Sequence, residues 1–137
     1  DWKIQEWQSN LETSSKTVCY KNYKKKFELS NYLKLLPKSA ARDVCRFRRA
    51  NFWLPFYRGI YLNIDRNCSF CAKIVLGDEY HALLCCPTFA VARAEFIPRF
   101  FWEYPNINKL EALFNSQDIN ILNKLAKFCS FVTDFYK

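Results

Sequence analysis

Methionine is absent from this chain, even at position 1, and histidine occurs once. The first absence predicts a segment of a longer protein. The second restricts the chemistry. If His81 is committed to one task, no other imidazole remains to act as general base or proton relay. Glycine is scarce too, with two in 137 residues. That excludes a glycine-rich phosphate loop and a serine nucleophile on a glycine-flanked elbow. With five prolines besides, few breakers interrupt the chain and long regular elements are expected. No apolar run approaches the ~20 residues of a membrane span. Asp1-Trp2-Lys3 begins no signal-peptide pattern. The carboxylates are scattered, with no spacing that suits a two-metal nuclease. No catalytic set emerges, so the segment reads as non-enzymatic.

Half of the residues are hydrophobic and 18% are aromatic, enough to drive folding and exclude disorder. The length suits one domain, 1–137, with a modest core. Its parts are a basic helical stretch (1–66), a cysteine–histidine motif (67–87) and C-terminal helices (88–137). The net charge of +8 is confined to the first part. Residues 1–66 carry 14 Lys/Arg against 6 Asp/Glu, whereas residues 67–137 carry seven of each. Such asymmetry predicts a polyanionic partner, RNA or DNA, and neither a membrane nor a small-molecule substrate.

Seven cysteines would leave one unpaired in a secreted domain. Four of them crowd around the sole histidine, and Cys19, Cys45 and Cys129 stand singly. That distribution predicts a reducing intracellular compartment, cytoplasm or nucleus, and unpaired thiols. Disulfides are the rival reading.

The crowded stretch is Cys68-Ser-Phe-Cys71 … His81-Ala-Leu-Leu-Cys85-Cys86-Pro87. Read to Cys86, its spacing is C-x2-C-x9-H-x4-C. Zinc takes four such donors, thiolate sulfur and neutral imidazole, in a tetrahedron. The gap between Cys68 and Cys71 lets a tight turn aim both sulfurs at one point. Gly77 can end the intervening loop, and Asp78 can cap a helix that starts at Glu79. His81 then lies in its first turn. On a regular helix, His81 and Cys85 share a face at i and i+4. Cys86 reaches the same point only if the last turn opens, which Pro87 promotes. Spacing alone leaves Cys85 and Cys86 both open as fourth ligand. Four donors and a spare thiol favour a closed structural site over a catalytic one. The rival reading is a pair of buried free cysteines beside a satisfied core histidine.

Ile4, Trp7 and Leu11 lie at helical spacing over residues 1–12. Residues 17–27 fit a strand through Val18 and Tyr20, or a helix through Cys19, Tyr23 and Phe27. Lys24, Lys25 and Lys26 form a basic cluster there, or a plain solvated face. Ser30 can cap a short helix over 31–36, stopped by Pro37. A longer helix is predicted over 38–53. Ala40, Ala41, Val44, Cys45, Phe47 and Phe52 fill one arc of it. Arg42, Arg46 and Arg49 fall within about 60° of one another on the other side, with Trp53 beside them. A row of guanidiniums binds phosphate well, and a tryptophan can stack a base. The competing reading is a solvated helix face. Arg48 points into the apolar arc, where a carboxylate or capping carbonyls should meet it. Residues 56–67 read as irregular.

After Pro87 a helix is expected to about residue 96, with Phe89, Ala92, Phe96 and Phe100 on one face and Pro98 as its stop. Asn106 or Asn108 can begin a helix to residue 114. Ser116 or Asp118 can cap a last one to residue 135, where Ile121, Leu122, Leu125, Phe128, Cys129 and Val132 form a core stripe.

Asp78-Glu79-Tyr80-His81, Leu83-Leu84 and Cys86-Pro87, with Arg66-Asn67-Cys68-x-x-Cys71 before them, resemble a known signature. It is the zinc-binding segment that follows the reverse transcriptase in invertebrate non-LTR retrotransposon polyproteins. Leu54-Pro55, Gly59, Arg93, Pro105-Asn106, Lys109-Leu110 and Leu113-Phe114 are similar as well, so the likeness covers residues 32–128. The family often places arginine after the glycine, where this chain has Ile60. The resemblance implies that Cys68, Cys71, His81 and Cys86 bind zinc, with Cys86 preferred over Cys85. It also implies a preceding polymerase domain as partner and nucleic acid as ligand. The expectation is thus a mostly α, small helical domain organised around one structural zinc, with room for a short β-hairpin at the zinc loop. It would bind the RNA or DNA backbone. The alternative is a zinc-stabilised structural or protein–protein interaction module.

Overall fold

The stripe at the C-terminal end is the axis of the fold. The computed structural model describes residues 30–48, 54–62, 65–71 and 74–136, together with Gln5. The expectations for residues 1–12 and 17–27, for Lys24, Lys25 and Lys26, and for Arg49, Phe52 and Trp53 lie outside these. In chain order the helices are α1 (Asn31–Leu35), α2 (Lys38–Arg48), α3 (Pro55–Leu62), α4 (Ala90–Phe96), α5 (Arg99–Trp102), α6 (Ile107–Phe114) and α7 (Ile119–Tyr136). Between α3 and α4 lie a π-helical turn at His81–Cys85 and a 3₁₀ turn at Pro87–Phe89. The domain is mostly helical, as the spacing of its apolar residues predicts.

On α7, Leu122, Leu125, Ala126, Phe128, Cys129 and Val132 are buried. Positions three and four apart share a face, so this spacing makes one continuous apolar stripe. The stripe packs against α2 and α4, and α7 also touches α1, α6 and the π turn. From α2 come Ala41, Val44 and Phe47, and from α6 come Leu110, Leu113 and Phe114, all buried. The core is therefore assembled from amphipathic helices that each bury one side.

Polar ends are satisfied where the sequence indicates. Asn106 caps α6, its Oδ1 accepting from the Lys109 N–H at 2.9 Å. Asp118 does the same for α7, accepting from Asn120 at 2.9 Å, while Ser116 accepts from Asp118 instead. Ser30 departs from expectation. It makes no side-chain cap on α1, and its hydroxyl accepts from Arg48 Nη1 at 3.0 Å. Arg48 is fully buried, with its guanidinium over the rings of Tyr32 and Phe114 at 5.5 and 5.3 Å from their centroids. A cation on aromatic faces is attracted by the ring quadrupole.

Three other expectations are corrected. Residues 56–67 are not irregular throughout, because Pro55 opens α3. Proline has no N–H to lose in a first turn and its φ already suits a helix. Phe100 is exposed rather than part of the inward face, since α4 ends at Phe96 and Pro98 redirects the chain. Among the described residues the β-hairpin at the ligand loop is reduced to a single antiparallel bridge, Asn67 with Leu76. Among the described residues no helix is long and apolar enough to cross a membrane.

Candidate metal centre

Two loop segments and one turn of helix bring the donors together. The chain reverses between residues 67 and 76, where Cys68 N donates to Val75 O at 2.8 Å and Gly77 N to Arg66 O at 3.0 Å. These bonds hold Cys68 on one arm. Phe56 N donates to Gly77 O at 3.1 Å and fastens the other arm to α3. Gly77 is required here by proximity. A Cβ at this position would lie 2.8 Å from Pro55 Cβ. Asp78 then starts the helical turn as expected, its Oδ1 accepting from the His81 N–H at 2.9 Å.

Which of the two adjacent cysteines joins the cluster follows from how that turn ends. On an α-helix, at 100° per residue, position i+5 faces about 140° away from position i. This turn is wider. Cys86 N bonds His81 O at 2.7 Å, five residues back, which is the π pattern. The extra residue swings Cys86 round to the side of His81. Cys86 Sγ lies 3.8 Å from Cys68 Sγ and 3.8 Å from Cys71 Sγ, and Cys71 Sγ lies 3.2 Å from His81 Nε2. All four ligand atoms fall within 4.8 Å of one another, close enough to hold a metal ion. Cys85 is outside the cluster and half-buried. The six described cysteines are free thiols, Cys45 and Cys129 among them.

The electrostatics suit a donor set. Burial lowers the pKa of His81, and the nearby Arg93 charge adds to this, while Asp78 works the other way; the imidazole is kept neutral and able to ligate. Burial opposes ionisation of Cys68, yet the Phe70 amide and the neighbouring Cys71 and Cys86 thiols outweigh it and lower its pKa. Cys71 bears the cost of crowding. Burial, then the sulfurs of Cys68 and Cys86, push it up to about 12. Three sulfurs so close cannot all ionise unless a cation sits among them.

Three supporting residues carry no ligand. Tyr57 on α3 donates to the buried Glu79 at 2.7 Å, just ahead of His81. The Tyr136 hydroxyl, at the end of α7, lies 3.9 Å from Cys68 Sγ. Arg93 on α4 is buried and donates to three carbonyls: Leu83 at 2.7 Å, Cys86 at 2.8 Å and Ala82 at 3.1 Å. The sequence held a signal for the last. Proline has no N–H, so Pro87 cannot serve the carbonyl four residues before it, and Leu83 needs another donor.

Of the expected nucleic-acid residues, Arg42 and Arg46 are exposed on α2, one turn apart. The ion pair among the described residues, Arg99 with Glu103, involves neither. No family model, no curated protein and no solved structure matches this chain.

Proposed function

We propose that this chain is a nucleic-acid-binding domain built on one structural zinc ion. Cys68, Cys71, His81 and Cys86 would hold the zinc. The observation that supports a tetrahedral, thiolate-bound ion is the spacing of the sulfurs. Zinc–thiolate bonds of about 2.3 Å in a tetrahedron put the sulfurs about 3.8 Å apart, and two of the sulfur pairs stand at 3.8 Å. Three thiolates and one imidazole select zinc over harder ions. With all four places taken by the chain, the ion organises structure and leaves none for a reacting water.

The nucleic-acid part rests on charge. Arg42 and Arg46 present two guanidiniums from one face of α2, and the excess positive charge of the chain lies ahead of residue 67. Guanidiniums bind phosphates in forked pairs and carry little sequence information. The motif resemblance suggests the parent, a retrotransposon polyprotein with a reverse transcriptase ahead of this segment. A second reading, a protein-docking module, is favoured by a different feature. The rings of Phe70, Phe131 and Phe135 are each about half exposed beside the ligand loop.

Metal analysis of reduced protein should give one equivalent of zinc; less than half an equivalent of any transition metal would overturn the proposal. Filter binding then separates the two partner readings, using RNA, single-stranded DNA and duplex DNA of about 20 residues. If about four to six phosphates are engaged, log K falls with log salt at a slope near −4 to −5. Dissociation constants weaker than about 100 μM for all three, in zinc-loaded protein, leave only the docking module.

A further inference from the structure

We infer that Arg93 decides which of two adjacent cysteines completes the metal site. The inference rests on the metal reading above and adds the device that sets its ligand. Cys85 and Cys86 are neighbours with the same chemistry. Only the pitch of the preceding turn distinguishes them. In an α-helical turn Cys85 shares the face of His81, and in a π turn Cys86 does.

The hydrogen bonds show what holds the wider pitch. In an α-helix, Cys86 N would bond Ala82 O, four residues back. Here it bonds His81 O. Ala82 O is thereby released, and Pro87 offers Leu83 O nothing. Both carbonyls are in buried residues, where an unmet acceptor is costly. The Arg93 guanidinium meets both, Nε on Leu83 O and Nη2 on Ala82 O, with Nη2 also on Cys86 O. Arg93 therefore supplies Ala82 O with the donor that Cys86 N does not give it in the wide pitch. With Arg93 on both carbonyls, the wide pitch leaves neither acceptor unmet, and it is in this pitch that Cys86 faces inward. A guanidinium suits the task because its fork spans neighbouring acceptors in one plane. Its positive charge also favours the carbonyl end of a helical turn.

Arg93 is accordingly a positioning residue, and removing it should move the fourth ligand rather than merely loosen the site. The test measures zinc affinity by chelator competition in Cys85→Ser and Cys86→Ser, each with Arg93 intact, with Arg93→Ala and with Arg93→Lys. With Arg93 intact, Cys86→Ser should weaken binding roughly a hundredfold, while Cys85→Ser has little effect. With Arg93→Ala the gap should close to within about tenfold, because Cys85 takes the vacated place. Arg93→Lys should restore part of the gap, since an ammonium still donates to carbonyls. Alkylation followed by mass spectrometry gives an independent readout. In zinc-loaded protein Cys85 should be modified and Cys86 protected. In Arg93→Ala protection should shift toward Cys85, an outcome that plain destabilisation does not produce.

A gap and a protection pattern unchanged by Arg93→Ala would overturn the proposal while leaving the metal reading standing. Unaltered protein that binds neither zinc nor cobalt would remove both. Should circular dichroism show Arg93→Ala unfolded, Arg93→Gln and Arg93→Lys carry the same comparison, and an unchanged gap in both is equally decisive against it.

Discussion

Along α7 the contacts are apolar and repetitive. Leu122, Leu125, Phe128, Cys129 and Val132 are all fully buried against side chains of the same kind. Between residues 65 and 89 Ala82, Leu83, Leu84 and Phe89 join the core, but the contacts that shape the donor cluster are polar and individually assigned. Glu79 has Tyr57, His81 has the Asp78 cap, the carbonyls of Ala82 and Leu83 have Arg93, and the sulfurs have one another. The first region spreads its stability over many interchangeable contacts. The second concentrates it in partners that no substitute replaces. With one antiparallel bridge and one widened turn among its described residues, the segment depends on the neighbouring helices for its core.

Stripping the metal is the strongest way to expose this contrast. Structural zinc supplies on the order of 10–16 kcal/mol of apparent binding energy in small domains. Chelation should raise amide exchange across residues 65–71 and 74–89, while the amides of Leu125 and Phe128 stay protected. Uniform exchange in both regions would erase the distinction. Acid works in the same direction. Burial and the neighbouring sulfurs hold the metal-free Cys71 thiol up to about 12, so binding must displace its proton, and affinity falls as pH falls.

Phe128→Ala attacks the other side of the comparison. Phe128 is fully buried and stacks with Phe96 at 6.3 Å. Truncation should cost about 3–5 kcal/mol in denaturant unfolding, with metal stoichiometry unchanged. Loss of the metal under native conditions would mean that the two regions stand or fall together.

Gly77→Ala probes the seam between them. The new Cβ would press on Pro55 Cβ at 2.8 Å and Cγ at 2.9 Å. A proline ring yields little, so a loss of about 1–3 kcal/mol is expected, accompanied by weaker metal binding. A neutral result would show that the ligand loop and α3 move apart freely.

Arg42→Ala should have the smallest effect on the fold, within about 0.5 kcal/mol. It should lower the salt-dependence slope of nucleic-acid binding by about one, alike for all sequences. An unchanged slope would take Arg42 out of the phosphate-binding face.

The same contrast explains how much was legible in the sequence. The stripe on α7 obeys short-range rules and was readable, and the same rules narrowed the caps to Asn106 or Asn108 and to Ser116 or Asp118, of which Asn106 and Asp118 serve. The four clustered donors were readable too, because cysteine and histidine at such spacing have few other reasons to gather. The choice of Cys86 over Cys85 was readable only in part: spacing left both open, and Pro87 with the motif resemblance pointed to Cys86, the one found in the cluster. The choice depends on a widened turn, and that turn is held by Arg93, which is close in space but seven residues away in sequence. The helix Pro55–Leu62 was missed because its aromatic residues carry weak helical propensity and tertiary packing overrides it. Arg48 was placed correctly in the apolar arc, but its rings come from Tyr32 and Phe114, which no local pattern links to it.

The widened turn has a consequence for how such sites are spelled. A π turn is an α-helix with one residue inserted. Deleting Cys85 would shorten the H-x4-C spacing to H-x3-C and let an ordinary α pitch bring the remaining cysteine to the face of His81. Two spellings, one residue apart, therefore encode a single arrangement of donors. A pattern that fixes the distance from histidine to the last cysteine would separate chains that build the same centre, and would treat an insertion that the backbone absorbs within one turn as a loss of the site.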